Sequence, residues 1–188
     1  MSYAQNETFF ESLPEFLAWE ERQEERYEFI GGKIFAMVGA SLAHNIIIGN
    51  LRDELRPVRR NPPCRIFAEG VKLAIGNDSF YPDLLVNCSA VSMQDKWVTD
   101  AVLLAEVLSP STEHHDRGTK LHRYMALPSL RHYLIVSQEQ QIIEHYSRNQ
   151  DDRSWQFELL EPSALIHLAA LDIDIPVEAI YESAEVPA

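Results

Sequence analysis

Two runs decide the reading of this chain: Tyr81-Pro82-Asp83-Leu84-Leu85-Val86 and Leu103-Leu104-Ala105-Glu106-Val107-Leu108. Each is an apolar, strand-forming stretch interrupted by one carboxylate. A carboxylate inside a buried strand is costly unless it is paired or bound to a cation. Two such residues on neighbouring strands would converge. Hard divalent cations take oxygen ligands, usually one or two carboxylates with waters and substrate phosphate. A cation held there could activate water and polarise a phosphoryl oxygen. The plainer alternative makes Asp83 a polar strand-start residue behind Pro82 and pairs Glu106 with a Lys or Arg.

The flanking sequence predicts an α+β chain. Residues 80–86 and 102–108 are strands, and the polar stretch 87–101 between them is a loop or short helix. Upstream, residues 65–68 and 71–75 are short strands, followed by a turn at Gly76-Asn77-Asp78. Residues 44–55 form a helix with Ile47, Ile48, Leu51 and Leu55 on one face. Residues 27–30 and 33–38 form a hairpin around Gly31-Gly32. Ser12-Leu13-Pro14-Glu15 reads as a capping box opening a helix over 14–25, with Phe16, Leu17 and Trp19 as candidates for its buried side. Downstream, a helix spans 116–127, Pro128 closes it, and 132–137, 142–146 and 155–160 are strands. The stretch through Leu168 and Leu171 to Ile180 follows no single period.

The 188 residues suit one domain, with a core large enough to need no staples. Sixteen basic and 29 acidic residues give a net charge of −13. Residues 1–28 carry eight acids and two bases, residues 150–188 nine acids and one base, so two acidic ends enclose a near-neutral middle. That balance argues against high-affinity, sequence-blind binding to nucleic acid, though not against a local basic groove. No apolar run reaches the ~18 residues of a membrane span. Residues 1–11 lack the charged and apolar regions of a signal peptide. Cys64 and Cys88 are too few for a disulfide framework, and a reducing, cytoplasmic setting is expected. His114-His115 are adjacent and so do not share a helix face, which disfavours a metal pair.

The order of motifs carries a resemblance. Tyr27-Glu28-x-x-Gly31-Gly32-Lys33, then His44 opening a helix, Val71-x-Leu73 and Pro82-Asp83 occur in sequence. Glu106-Val107-Leu108-Ser109-Pro110-Ser111-Thr112, Asp116-Arg117-x-x-Lys120-x-x-x-Tyr124 and His132-Tyr133-x-x-Val136 complete the pattern. Over residues 12–147 the chain resembles the Uma-type family of restriction-endonuclease-like proteins, relatives of the PD-(D/E)XK nucleases. The acidic segment 150–188 lies beyond the resemblance. One departure is plain: Leu108 stands where that motif has Lys.

The resemblance implies a mixed central sheet flanked by helices and a metal-dependent nuclease site. Asp83 and Glu106 would be catalytic and bind Mg²⁺ or Mn²⁺, with the backbone carbonyl of Val107 completing the set. The family's usual remedy for the missing strand lysine is one on the next helix, which points to Lys120. Asp116, Lys120 and Tyr124 recur every four residues and so share a helix face; the plainer role for Lys120 is a surface pair with Asp116. Glu28, His44, Glu69, Asp116 and Tyr124 are candidates for contacts to the metal's surroundings or the substrate. The expected activity is endonucleolytic hydrolysis of DNA by a homodimer. Its apolar interface would draw on Phe16, Leu17, Trp19 and Trp97. The alternative is a catalytically silent binding or regulatory module that keeps the fold, suggested by Leu108 and the −13 charge.

Overall fold

Strand pairing divides the described residues between two six-stranded sheets and a small third one. The computed structural model describes residues 5–37, 39–109, 113–149 and 154–188, with side chains from residue 10 onward. Pro110-Ser111-Thr112 of the motif, Val38 at the expected hairpin end, and Asp151 and Asp152 of the acidic segment lie outside the described residues. The first sheet is built from β1 (Gln5–Phe9), β2 (Tyr27–Ile30), β3 (Lys33–Ala36), β5 (Lys72–Ile75), β6 (Asp78–Phe80) and β8 (Trp97–Val98), in the order β1-β3-β2-β6-β5-β8. The second holds β4 (Arg65–Ala68), β7 (Leu84–Asn87), β9 (Leu103–Val107), β10 (His132–Val136), β11 (Ile143–Arg148) and β12 (Trp155–Leu160), in the order β12-β11-β10-β9-β7-β4. It is mixed: β9 and β10 run parallel, the other pairs antiparallel.

The register of the second sheet decides where its acid points. Leu84 pairs with Ala105 and Leu85 with Leu104, while Glu106 lies beside Ile135 on β10. Alternation sends Leu84, Val86, Leu103, Ala105, Val107, Leu134 and Val136 into one core. That core is covered by α2 (Leu42–Glu54) through Ile47, Ile48 and Leu51, and by β13 (Leu165–Leu168), β14 (Ile173–Pro176) and α5 (Val177–Ile180). Truncating a side chain such as fully buried Ile47 to Ala costs about 2–5 kcal/mol. Leu85, Leu104, Leu108, Tyr133 and Ile135 face the opposite core with Tyr124, Leu127 and Leu130. Glu106 shares that second face, beneath the crossover that links β9 to β10.

The sequence reading needs correction at four places. Residues 80–86 are not one strand. The chain leaves β6 at Phe80 and enters β7 at Leu84, so Tyr81-Pro82-Asp83 bridges the two sheets. Pro82 has no N–H for a ladder, the Tyr81 N–H donates to Glu28 Oε1 (3.0 Å), and the Asp83 carbonyl accepts from the Glu69 N–H (2.9 Å). The crossover helix starts earlier than expected and is not uniform: α3 (Glu113–His115), a π-helical turn over Asp116–Lys120, then α4 (Leu121–Met125). The stretch 87–101 contains the short strand β8, paired with β5.

The fourth correction concerns α1 (Leu13–Glu20), which stops five residues short of the expected end. Ser12 makes no side-chain cap, and Glu15 accepts from the Glu11 N–H instead of closing a capping box. Buried Glu20 ends the helix by binding groups beyond it: the Tyr27 N–H (3.1 Å), the Tyr81 hydroxyl (2.9 Å) and the Lys72 ammonium. Phe16 is fully buried against Phe29 and Ile34, with Leu17 and Trp19 packed on the same cluster. Phe16 belongs to the core of this chain, Leu17 and Trp19 are half-buried against it, and Trp97 is 39% exposed. Cys64 and Cys88, at adjoining ends of β4 and β7, are joined in a disulfide. No helix among the described residues is long and apolar enough to cross a membrane.

On the face away from Glu106, His132 and His145 pair across β10 and β11. The Ala170 N–H donates to His132 Nε2 (3.2 Å), so the neutral ring keeps its proton on Nδ1 and donates it to His145 Nε2 (3.1 Å). Burial, with the neighbouring histidines, lowers His132 from 6.5 to about 3, and burial lowers His145 to about 4. The unfolded chain therefore binds more protons than the folded one below pH 6.5. The pair's full contribution is present above that value and is lost as pH falls toward 4 and 3. The thermal midpoint should fall as pH drops from 6.5 to about 4, more gently in a His145→Phe variant. A midpoint constant across that window in the parent would refute the assignment.

Candidate active site

The bridging segment and the crossover helix bring most of the predicted residues to one place. Lys120, at the end of the π turn, is only 4% exposed. Its Nζ lies 3.1 Å from Glu106 Oε1 on β9, 3.1 Å from Glu28 Oε1 on β2 and 3.2 Å from Asp116 Oδ1 one turn back. A wide π turn is a common local feature of functional sites; here Asp116 and Lys120 remain in contact across it. The Tyr124 hydroxyl, from α4, donates to Glu106 Oε1 at 2.7 Å. The solvated surface pair considered for Lys120 is thus replaced by a buried cluster of one cation and three acids.

Asp83 stands beside this cluster. Its Oδ2 accepts from the Val107 N–H at 2.8 Å, one residue past Glu106, and contacts His44 Nε2 at 3.1 Å. His44 reaches it from the first turn of α2, where the Ser41 Oγ caps the His44 N–H at 3.0 Å. Glu69 acts on Asp83 through its backbone, in a left-handed conformation with φ +48°, and its exposed side chain lines the cleft. The structure therefore gathers Glu28, Glu106, Asp116, Lys120 and Tyr124 in one cluster, and Asp83 with His44 in a second joined through Val107. The Val107 side chain is core; its N–H is the group seen to act at the site.

Charge balance sets the protonation of these groups. Burial pushes the Glu106 carboxyl well above the usual range; Asp116, Asp83 and Glu28 add to it, and Lys120 opposes it. Burial would depress the Lys120 amine, but Glu106, Glu28 and Asp116 together hold it well above its ordinary value. Burial also lowers His44, and its hydrogen bond to Asp83 and that carboxylate's charge outweigh it, so the net shift is upward. The acids are under-neutralised, and the site lacks positive charge.

A cleft of about 1120 Å³ opens over the cluster. Among the described residues seven carboxylates line it (Glu28, Glu69, Asp83, Glu106, Glu113, Glu139 and Glu144) against Arg26, Arg117, Lys120 and the His44 ring. Among the described residues no group of three or more His, Cys, Asp or Glu side chains is arranged to hold a metal. Asp83 and Glu106 still suit a hard cation. Among the described residues, the hydrogen bonds to the Asp83 carboxylate fall on Oδ2 and those to Glu106 on Oε1. Mg²⁺ is commonly held by one or two carboxylates and waters.

Sequence reasoning passed over two contributors. Gln138 donates to the Leu108 carbonyl and accepts from the Ser41 hydroxyl, each at 2.5 Å, tying the start of α2 to the end of β9. Arg26 lies on the cleft wall above Tyr81. Gln138 follows the end of β10 and Arg26 stands just before the Tyr27-Glu28 motif, both outside the regular elements, so their roles arise from tertiary contacts.

The fold has a solved counterpart. A crystal structure from Anabaena variabilis, titled a "putative nuclease belonging to DUF820", matches with a TM-score of 0.75 over 92% of this chain and 98% of that one, at 18% identity. At that identity the likeness shows the fold, a restriction-endonuclease-like α+β arrangement. Two uncharacterized proteins of Synechocystis sp. are closer in sequence. Protein slr1290 is 35% identical over 173 residues, 90% of each chain, and sll1609 is 34% identical over 165 residues, 85% of this chain and 93% of that one. The model of the Uma2 family, described as "putative restriction endonuclease", matches residues 13–178, and the chain belongs to that family.

Proposed function

We propose that this protein is a metal-dependent endonuclease that hydrolyses phosphodiester bonds in DNA. The observation that carries the reading is the Lys120 ammonium buried on Glu106, with Asp83 fixed one residue away on the Val107 N–H, at the base of an open acidic cleft. Membership of the Uma2 family and a fold shared with a protein titled a nuclease support it.

In this reading Asp83 and Glu106 hold Mg²⁺ or Mn²⁺. The bound cation supplies Lewis acidity toward a phosphoryl oxygen and a water of lowered pKa. Tyr124 and Lys120 fix Glu106 through Oε1, leaving Oε2 for the cation. The Val107 N–H and His44 fix Asp83 through Oδ2 in the same way, leaving Oδ1. The Lys120 amine stays protonated, so it places Glu106 and offsets negative charge developing on the phosphate; it does not accept a proton. The acidic lining makes cation loading a condition for approach of a phosphate.

A second reading, a silent module, is favoured by one observation: Lys120 is already satisfied by three carboxylates, as a structural ion cluster would be. Plasmid nicking in Mg²⁺ and Mn²⁺, with Mn²⁺ titration calorimetry, separates the two. The parent should nick DNA only with metal, and Asp83→Asn should lose at least about 10- to 100-fold in metal affinity and activity. Equal Mn²⁺ binding by both proteins, with no nicking by either, would leave the silent module.

Lys120 needs a different test, because removing it strands buried acids. Lys120→Met should lower the unfolding free energy by about 3–5 kcal/mol in urea denaturation. Adding Glu106→Gln to that variant should recover part of the loss, with a coupling of about 0.5–3 kcal/mol. Strictly additive effects would show that Lys120 and Glu106 do not act as a pair.

A further inference from the structure

Among the described residues three permanent cations line the cleft, and two are already spoken for. Lys120 is shared by Glu28, Glu106 and Asp116. Arg117 is bound to Glu113 and, at 2.6 Å, to Glu144. Arg26 forms no ion pair among the described residues, with Glu69 or any other acid.

Its position is nevertheless fixed. The guanidinium carbon lies 5.9 Å from the centroid of the Tyr81 ring, a cation–π distance. Tyr81 is pinned at both ends, by its N–H on Glu28 and its hydroxyl on Glu20. On the other side the guanidinium packs against Gly70, where a Cβ would come within 2.5 Å of Nη1 and 2.9 Å of Nη2. Gly70 also has φ +86°, a backbone state that favours glycine. The Arg26 carbonyl accepts from the Met37 N–H at 3.0 Å, which holds its backbone at the start of β2. A planar, unneutralised cation is therefore seated on Tyr81, which lies two residues before Asp83 in sequence, on the wall of an otherwise acidic cleft.

An arginine so placed has the geometry for bidentate binding of a phosphate. We infer that Arg26 binds a backbone phosphate of the nucleic-acid strand lying in the cleft next to Asp83. This rests on the nuclease reading and adds the group that holds the strand once a cation has offset Asp83 and Glu106. Arg26 is a substrate-binding residue here, and the acid cluster around Lys120 does not depend on it.

The test is equilibrium binding of a short fluorescein-labelled DNA duplex by anisotropy, with Ca²⁺ in place of Mg²⁺ and salt varied from ~50 to ~200 mM. Arg26→Ala should weaken binding about tenfold or more and lower the slope of log K against log salt by about one. Arg26→Lys should keep the slope and recover only part of the affinity, since the forked contact is lost. Lys96→Ala, which removes an equal charge at a residue outside the cleft, should change neither quantity. The thermal midpoint of Arg26→Ala should stay near that of the parent. A parent that binds the duplex while Arg26→Ala matches it in affinity and slope overturns the assignment of Arg26 alone. A parent that binds no duplex with Ca²⁺ present removes the nuclease reading and this inference together.

Discussion

An ammonium group that is 4% exposed must be held by anions, and Lys120 is held by three drawn from separate parts of the chain. Glu28 comes from the first sheet, Glu106 from the second and Asp116 from the turn that carries the lysine. Burying each ion costs several kcal/mol, and an isolated buried pair roughly breaks even against that cost. Three partners tip the balance for the cation while leaving the acids short of positive charge. The Glu106 carboxyl is shifted upward first by its burial, with Asp116, Asp83 and Glu28 adding to the shift against the pull of Lys120. On the proposed reading, a divalent cation held by Asp83 and Glu106 would supply the positive charge that the acids lack.

The bridging segment complements the cluster. Tyr81-Pro82-Asp83 transfers the chain from one sheet to the other, and each residue has a fastening there. Tyr81 is bound to Glu28 and Glu20, Pro82 leaves no ladder donor unused, and Asp83 is fixed by Glu69, Val107 and His44. Asp83 lies at the seam, in the bridge just before β7 begins, which gives a carboxylate room to face a cleft instead of a packed core.

Much of this was legible in the sequence. The apolar strands of the second sheet, the Gly31-Gly32 hairpin and the apolar face of α2 follow from period and turn chemistry. The grouping of Asp116, Lys120 and Tyr124 follows from helical spacing, and all three meet at Glu106 or Lys120. What was illegible depends on partners far away in sequence. Tyr81 leaves its strand because of Glu28, 53 residues earlier, and α1 stops because Glu20 binds Lys72, 52 residues later. The Cys64–Cys88 bridge, the seat of Arg26 on Gly70 and the layer after residue 160 likewise arise from tertiary contact. Which residues gather could be foreseen from their spacing; the metal and the chemistry assigned to them remain the proposal.

The division of the lysine's partners between two sheets bears on how the chain assembles. Glu28 is synthesised long before Lys120, and until the lysine emerges the nascent chain holds the acids of β2, the bridge and β9 without their counter-charge. Their mutual repulsion works against early closure of the two sheets on each other. β9 is also without its parallel neighbour until β10 has been made. Closure of the seam around Lys120 needs the crossover, which follows both Glu28 and Glu106 in the chain. Such long-range closure is slow compared with local helix or hairpin formation, and a chain interrupted within the crossover would keep two strand-rich halves with no charge to join them.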